Sequence, residues 1–303
     1  MLVNILIRQI IIMALLAGTG LVLSKKGLLS DHGTKDLGAL LLKLIIPCVI
    51  IKSCMVDCTA ERIAGLAAST VLALTAYVLS MGISWLVYGK RHTIENFAAS
   101  FCNAGFIGIP LTQAVVGSEG VFYIAISVAL LNFFQWTYGV YIITDSRDAI
   151  SLKTITKNPV VIALVIGLLL FFVPIQVPEI ISSTLGYVTG MNTPIAMLLM
   201  GTYMARLSPG KFFANRKAYF CVLLRLVVIP TVILFAYRFL PITNEQALMT
   251  AWLAAITPVG VNICVFAQQF NCDYELSVIT VCLSTILSVV TIPVMFMAAQ
   301  SAL

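Results

Sequence analysis

Charge is what this chain has least of. Only 10% of its 303 residues are Asp, Glu, Lys or Arg, and it holds two histidines. A soluble domain carries roughly a quarter charged residues. No polar stretch reaches the roughly 50 residues that a separate soluble domain needs. No acidic residue lies deep in an apolar segment. Glu95, Glu119, Glu179, Glu245, Asp273 and Glu275 all fall near segment ends or in loops, so a carboxylate proton relay has no carrier. The phosphate-loop pattern G-x-x-x-x-G-K-[ST] is absent, as are a nucleophile elbow and an H-E-x-x-H pair. No Lys/Arg run exceeds a pair, which leaves no nucleic-acid-binding stripe. The eight cysteines are scattered through apolar stretches, where a thiol acts as a small hydrophobe. With His32 and His92 in polar loops, no metal-ligand cluster forms, and no cofactor is expected.

Apolar residues are what is there. They make up 60% of the chain, and the mean hydropathy is +1.05. About 20 apolar residues cross the hydrocarbon core. That length predicts ten spans, over 3–23, 37–55, 63–88, 97–116, 120–143, 159–175, 180–204, 218–238, 246–268 and 276–298. The first carries Arg8, runs too long for a signal-peptide core and is followed by no A-x-A site, so it reads as a span. The expected fold is an all-α integral membrane protein with lipid as its solvent.

The longest polar connection, 145–158, divides the chain into halves 1–144 and 159–303. Loops after odd-numbered spans carry Lys25, Lys26, Lys35, Lys90, Arg91, Arg147, Lys153, Lys157, Arg206, Lys211, Arg216 and Lys217. The other side carries Arg8, Lys52, Arg62 and Arg238. The positive-inside rule then places odd loops in the cytoplasm and both termini outside. Five spans per half is an odd number, so the second half enters the membrane inverted. Pro47 recurs at Pro194 and Pro110 at Pro258, at the same spacing to within one residue, as an inverted repeat requires.

Spans four and nine are damaged. FCNAGFIGIPLTQAVV (101–116) and AAITPVGVNICVFA (254–267) each carry proline, glycine and asparagine inside an apolar run. Proline removes an N–H and crowds the preceding turn, and glycine permits non-helical angles. Lipid does not tolerate such breaks unless protein buries them or a cavity receives them, so the pair points to a solute site at mid-membrane. The N–H ends of the second half-helices, expected at Leu111–Gln113 and Val259–Val261, carry roughly half a positive charge and suit an anion. Candidate contacts are Asn103, Gly105, Pro110, Thr112 and Gln113 in one break, and Thr257, Pro258 and Asn262 in the other. The polar side chains among them act either on a solute or as interhelical glue. Asn132, Gln135 and Asn192 read as glue. Two cations sit within apolar spans, Lys43 in LLLKLIIP and Arg225 in LLRLVVIP. Each either snorkels to the cytoplasmic interface or lines an anion-attracting vestibule.

Several stretches together resemble the auxin efflux carrier family of permeases, which includes plant PIN-FORMED exporters and bacterial malate or malonate permeases. They are LLLKLIIPCVI, FCNAGFIGIPL, MNTPIAMLLMGTYMARL, LLRLVVIP, and TPVGVNICVFAQQFNCDYELS leading into STILSVVTIP, spread over nearly the whole chain. The resemblance implies ten helices in two inverted five-helix repeats, with helices four and nine crossing at Pro110 and Pro258. It implies a scaffold domain that dimerises and a transport domain that moves like an elevator. It implies an organic-anion substrate, with Asn103 and Asn262 as the firmest substrate contacts. The long central loop of the plant exporters is missing, so neither auxin nor regulation through that loop carries over. The expected protein is a cell-membrane secondary transporter for a small mono- or dicarboxylate, with lipid and a second copy as its partners. A sodium-coupled symporter of the bile-acid type and a ligand-binding receptor without flux are the alternatives.

Overall fold

A computed structural model describes residues 2–146, 148–173, 175, 177–206 and 215–302, the side chains of 152, 301 and 302 excepted. Arg147 and Lys211 of the charge tally lie outside these residues.

In chain order, α1 (Leu2–Lys25) leads to α2 (Asp31–Leu40), capped by the Ser30 hydroxyl, which accepts from the Gly33 amide. A π-turn (Leu41–Ile45) joins α2 to α3 (Ile46–Ser53). The long α4 (Ala60–Tyr88) starts on the Thr59 cap and stops at Gly89, whose φ is 55°. Next come α5 (Thr93–Ser100), a second π-turn (Ala104–Gly108) and α6 (Ile109–Val115). Gly117, at φ 86°, turns the chain into α7 (Ser118–Phe134). That helix continues through a π-turn (Gln135–Gly139) into α8 (Val140–Thr144).

The polar connection contains the short α9 (Leu152–Thr156). Asn158 and Pro159 then open α10 (Pro159–Phe172). The rest is α11 (Glu179–Gly190), α12 (Asn192–Ala205), α13 (Arg216–Leu223), a π-turn (Leu224–Val228), α14 (Ile229–Tyr237), α15 (Glu245–Ala255), α16 (Asn262–Gln269) and α17 (Tyr274–Ala302).

Three π-turns end directly before an Ile-Pro pair: Pro47, Pro110 and Pro230. In each, the isoleucine amide reaches back five residues, to the carbonyls of Leu41, Ala104 and Leu224. A proline ring clashes with the carbonyl four residues back. Widening the turn by one residue moves that carbonyl aside, so the chain bends without fully breaking.

Among the described residues, five helical stretches are long and apolar enough to cross a membrane: Leu2–Lys25, Ala60–Tyr88, Ser118–Thr144, Arg216–Tyr237 and Tyr274–Gln300. They lie within three residues of the expected first, third, fifth, eighth and tenth spans. The segments between them are shorter or interrupted helices. This is a multi-pass, all-helical membrane protein.

Glycines let α1 and α12 touch. A Cβ on Gly20 would lie 2.2 Å from the Leu198 carbonyl oxygen, and one on Gly201 2.0 Å from that of Ala17. Without a hydrophobic drive between helices in lipid, such close backbone packing holds them together. The interrupted helices occupy the interior. Every residue from Ile94 to Ser100 and from Ala104 to Thr112 is buried, as is each from Thr250 to Ala255. Protein rather than lipid therefore surrounds the broken backbone.

Candidate functional site

The two interruptions meet. Helix α5 stops at Ser100, and Phe101 adopts extended angles (φ −120°, ψ 120°). Cys102 then pairs with Val259 as an antiparallel bridge. The Asn103 amide donates to the Pro258 carbonyl at 2.9 Å, and the Gly260 amide to the Phe101 carbonyl at 3.0 Å. The Val259 amide donates to the Ser284 hydroxyl at 3.1 Å. Two chains that have both left the helix thus satisfy each other's backbone in a dry interior. Gly260 is required for the approach, because a Cβ there would sit 2.8 Å from the Cys102 carbonyl oxygen.

This crossing differs from the expectation in one respect. Pro258 lies in it, but Pro110 lies two turns beyond, inside α6. The π-turn at Ala104–Gly108 absorbs the disturbance that Pro110 creates, so the chain breaks earlier, at Phe101–Asn103. The returning helices accordingly begin at Asn103 and at Val261–Asn262, not at Leu111–Gln113.

Both asparagines sit at these starts and line one tight cavity of ≈ 20 Å³ with Gly105, Val261 and Asn132. The Asn103 Oδ1 caps its helix by accepting from the Phe106 amide at 3.3 Å, while its Nδ2 is buried with no partner among the described residues. The Asn262 Nδ2 donates to the Gln135 Oε1 at 2.8 Å, and the Gln135 Nε2 is likewise buried and unpartnered. Asn132 donates to the Val128 carbonyl and accepts from the Asn158 Nδ2 at 3.3 Å. Asn158 belongs to a neighbouring pocket with Lys153, Lys157 and Trp136. Two separate carboxamide pairs, Asn158–Asn132 and Gln135–Asn262, therefore stand beside the crossing, and Asn132 and Asn262 line its cavity. Two buried N–H donors stand unused beside two helix N-termini, an environment that stabilises negative charge.

The other candidates are dispersed. Thr257 is buried, and its hydroxyl donates to the Ala254 carbonyl at 2.7 Å. Thr112 is buried against Gly120, its hydroxyl unpartnered among the described residues. Pro110 and Gln113 face a different cavity, which also takes in Lys52 and Asn192. Lys43 is exposed. Arg225 does not snorkel. It is 1% exposed, and its guanidinium donates to the Thr257 carbonyl at 3.3 Å and to that of Ala255. The break in span nine strips these carbonyls of their helical partners, and a cation at a helix C-terminus opposes the helix dipole.

The sequence reading took Asn132 and Gln135 as interhelical glue and did not single out Asn158; the Asn262–Gln135 and Asn158–Asn132 hydrogen bonds are contacts of that kind, gathered beside the crossing. A signal existed: Asn132 and Gln135 are three apart in one span, hence on one face. Taken singly, each resembles ordinary interhelical glue, and only the fold brings them to the asparagines.

A multi-pass helical protein whose interior holds two crossed, interrupted helices with spare hydrogen-bond donors has the form of a membrane transporter. The family profile described as "Membrane transport protein" matches residues 5–156 and 148–296. The chain belongs to that family, the auxin efflux carrier permeases, and is a transport protein rather than an enzyme. It is 24% identical over 247 residues to the uncharacterized transporter YfdV of Escherichia coli K12, covering 75% of this chain and 77% of that one. An uncharacterized transporter of Methanothermobacter thermautotrophicus is 24% identical over 290 residues, 90% of this chain and 92% of its own. A Rhizobium meliloti protein provisionally named a malonate transporter is 23% identical over 209 residues, 66% of this chain and 65% of its own.

Proposed function

We propose that the protein is a secondary transporter for a small organic anion, a mono- or dicarboxylate, bound at the crossing of spans four and nine. One observation carries the reading: Asn103 and Asn262 stand at the N-termini of two helices that return from the same crossing and share one cavity. A carboxylate there accepts from the carboxamides and from the first helical amides, which precede any intrahelical acceptor. Gln135 holds Asn262 in place. Gly105 keeps the wall low, and Pro258 shapes the break.

In this reading the ten spans form two inverted repeats, 1–144 and 159–303, joined by the cytoplasmic connection 145–158. Both termini face away from the cytoplasm of a cell-membrane protein. The cavity is narrow in this state, so a solute enters and leaves by an elevator-like movement of the crossing against a scaffold that pairs two copies. The malonate name of the Rhizobium relative agrees with the substrate class.

The test is flux of labelled malonate and related carboxylates in proteoliposomes. Asn103→Ala and Asn262→Ala each abolish most of the flux while the protein still inserts and purifies normally. Wild-type flux in both variants refutes the site. Binding without any flux in the unmodified protein refutes transport.

A further inference from the structure

A second cavity, of ≈ 520 Å³, lies beside the crossing and shares none of its lining residues. It opens where the end of α3, the helix α6, the start of α7 and the junction of α11 with α12 converge. One charged side chain enters it. Lys52, half-buried in the last turn of α3, donates to the Ser182 carbonyl at 3.3 Å and has no carboxylate within ion-pair distance among the described residues. An ammonium carries three donors, so at this one bond it is under-used. The place is shaped for it: a Cβ on Gly186 would lie 2.6 Å from the Lys52 Nζ.

Asn192 lines the same cavity; it is 3% exposed, and its Oδ1 and Nδ2 are both buried without a partner among the described residues. Leaving both ends of a carboxamide unsatisfied is costly, and native proteins keep few such groups. The exposed Gln113 carboxamide lines the same space. The walls between these groups include Val49, Val56 and Val121, which lower the local dielectric and strengthen any ion pair made there.

The geometry points to a second anion site, which takes the carboxylate of an organic acid. Lys52 supplies the counter-charge, and the Asn192 and Gln113 carboxamides supply donors. The site rests on the organic-anion reading given above but is separate from the crossing. Pro110 belongs to its wall, so the segment formed by the π-turn and α6 joins the two sites: its Asn103 end serves the crossing and its Pro110–Gln113 end this one. An anion held at Lys52 is thereby stationed next to the moving element before or after it occupies the crossing.

Malonate binding to the purified full-length protein, followed by isothermal titration calorimetry, tests the assignment, with uncharged malonamide as the control. Asn103→Ala/Asn262→Ala removes the donors at the crossing. This double variant still binds malonate and ignores malonamide. Adding Lys52→Gln weakens the residual binding by about tenfold or more, since a charge-assisted bond is lost. Lys52→Arg retains it. Gly186→Ala, which crowds the ammonium without removing its charge, weakens it in a protein that keeps Lys52. A double variant that binds no malonate overturns the site, as does residual binding that survives both Lys52→Gln and Gly186→Ala. Failure of the crossing as a transport site has a different signature, wild-type flux in the asparagine variants, and leaves the residual binding readable.

Discussion

Arg225 lies against the carbonyl of Thr257, Nε to oxygen 3.3 Å, in the interior of the protein. The same guanidinium reaches Ala255, the last residue of α15. A broken membrane helix faces a shortage of donors for its final carbonyls, and here one side chain from the π-turn of the eighth span supplies them. Arg225→Leu therefore costs stability in two ways: hydrogen bonds to a charged group are lost, and buried carbonyls are left bare. Together these amount to about 2–4 kcal/mol. Thermal unfolding in detergent shows the loss. Arg225→Lys recovers only part of it, because one ammonium cannot copy the planar fork that spans two carbonyls.

The crossing makes opposite demands on two glycines. At Gly260 a Cβ would meet the Cys102 carbonyl oxygen at 2.8 Å, and a backbone atom cannot rotate away. At Gly105 the nearest obstacle is the Ile46 Cδ1 at 3.4 Å, a flexible tip. Gly260→Ala should force the Cys102–Val259 pair apart and abolish flux. Gly105→Ala should fold normally and reduce flux only modestly by narrowing the cavity. Equal effects would show that the pairing is not what holds the crossing together. The comparison is read from flux per folded molecule.

Much of this arrangement is legible in the residues. The five long helical stretches are sustained apolar runs in the sequence, so hydropathy locates their ends within three residues. The interruptions announce themselves through glycine, proline and asparagine in the middle of apolar segments. Their exact seat does not, because proline has two outcomes in a helix, a break or a widened turn. Pro110 takes the second, and nothing local distinguishes it from Pro258. Arg225 and Lys43 look alike in sequence, each in an apolar run before a proline. One turns inward onto bare carbonyls and the other lies exposed, a difference set by what packs beside each helix. The pairs Asn132–Asn158 and Gln135–Asn262 form only after their segments have been brought together.

Gln135 and Asn262 act as one unit. Their 2.8 Å bond leaves the Gln135 Nε2 as the free donor and fixes the Asn262 carboxamide. In a double-mutant cycle on flux, Gln135→Ala and Asn262→Ala are expected to be non-additive by about 1 kcal/mol, the size of one such bond. Additive losses would mean that Gln135 acts through helix packing alone.

Gly20 and Gly201 hold α1 and α12 at backbone contact. Alanine at either position drives a methyl group into a carbonyl oxygen of the facing helix, with no side chain free to yield. Each substitution is expected to lower the unfolding temperature clearly in detergent, with the crossing itself intact. The check is that malonate binding per folded molecule stays within about twofold of the unmodified protein, less than the tenfold that 1.4 kcal/mol of lost contact at the site produces. A parallel loss of binding would tie the α1–α12 seam to the crossing directly.

Pro110 offers the sharpest contrast with its sequence partner. If Pro110 made the break, Pro110→Ala would let the fourth span run straight and destroy the crossing. In the structure the break is upstream, held by the Asn103 amide on Pro258 and by the Gly260 amide on Phe101, and none of these groups belongs to residue 110. Alanine there restores an N–H that can donate to the carbonyl four residues back, tightening the π-turn toward α-helix. The exchange removes ring strain and adds a backbone bond, so stability should hold or rise slightly. Malonate binding should remain, while flux should fall below that of the unmodified protein, because the turn that leads to Gln113 has shifted. Hydrogen exchange across residues 101–109 decides the point. Protection of the Asn103 amide that matches the unmodified protein supports a break independent of Pro110. Loss of that protection would return the break to the proline.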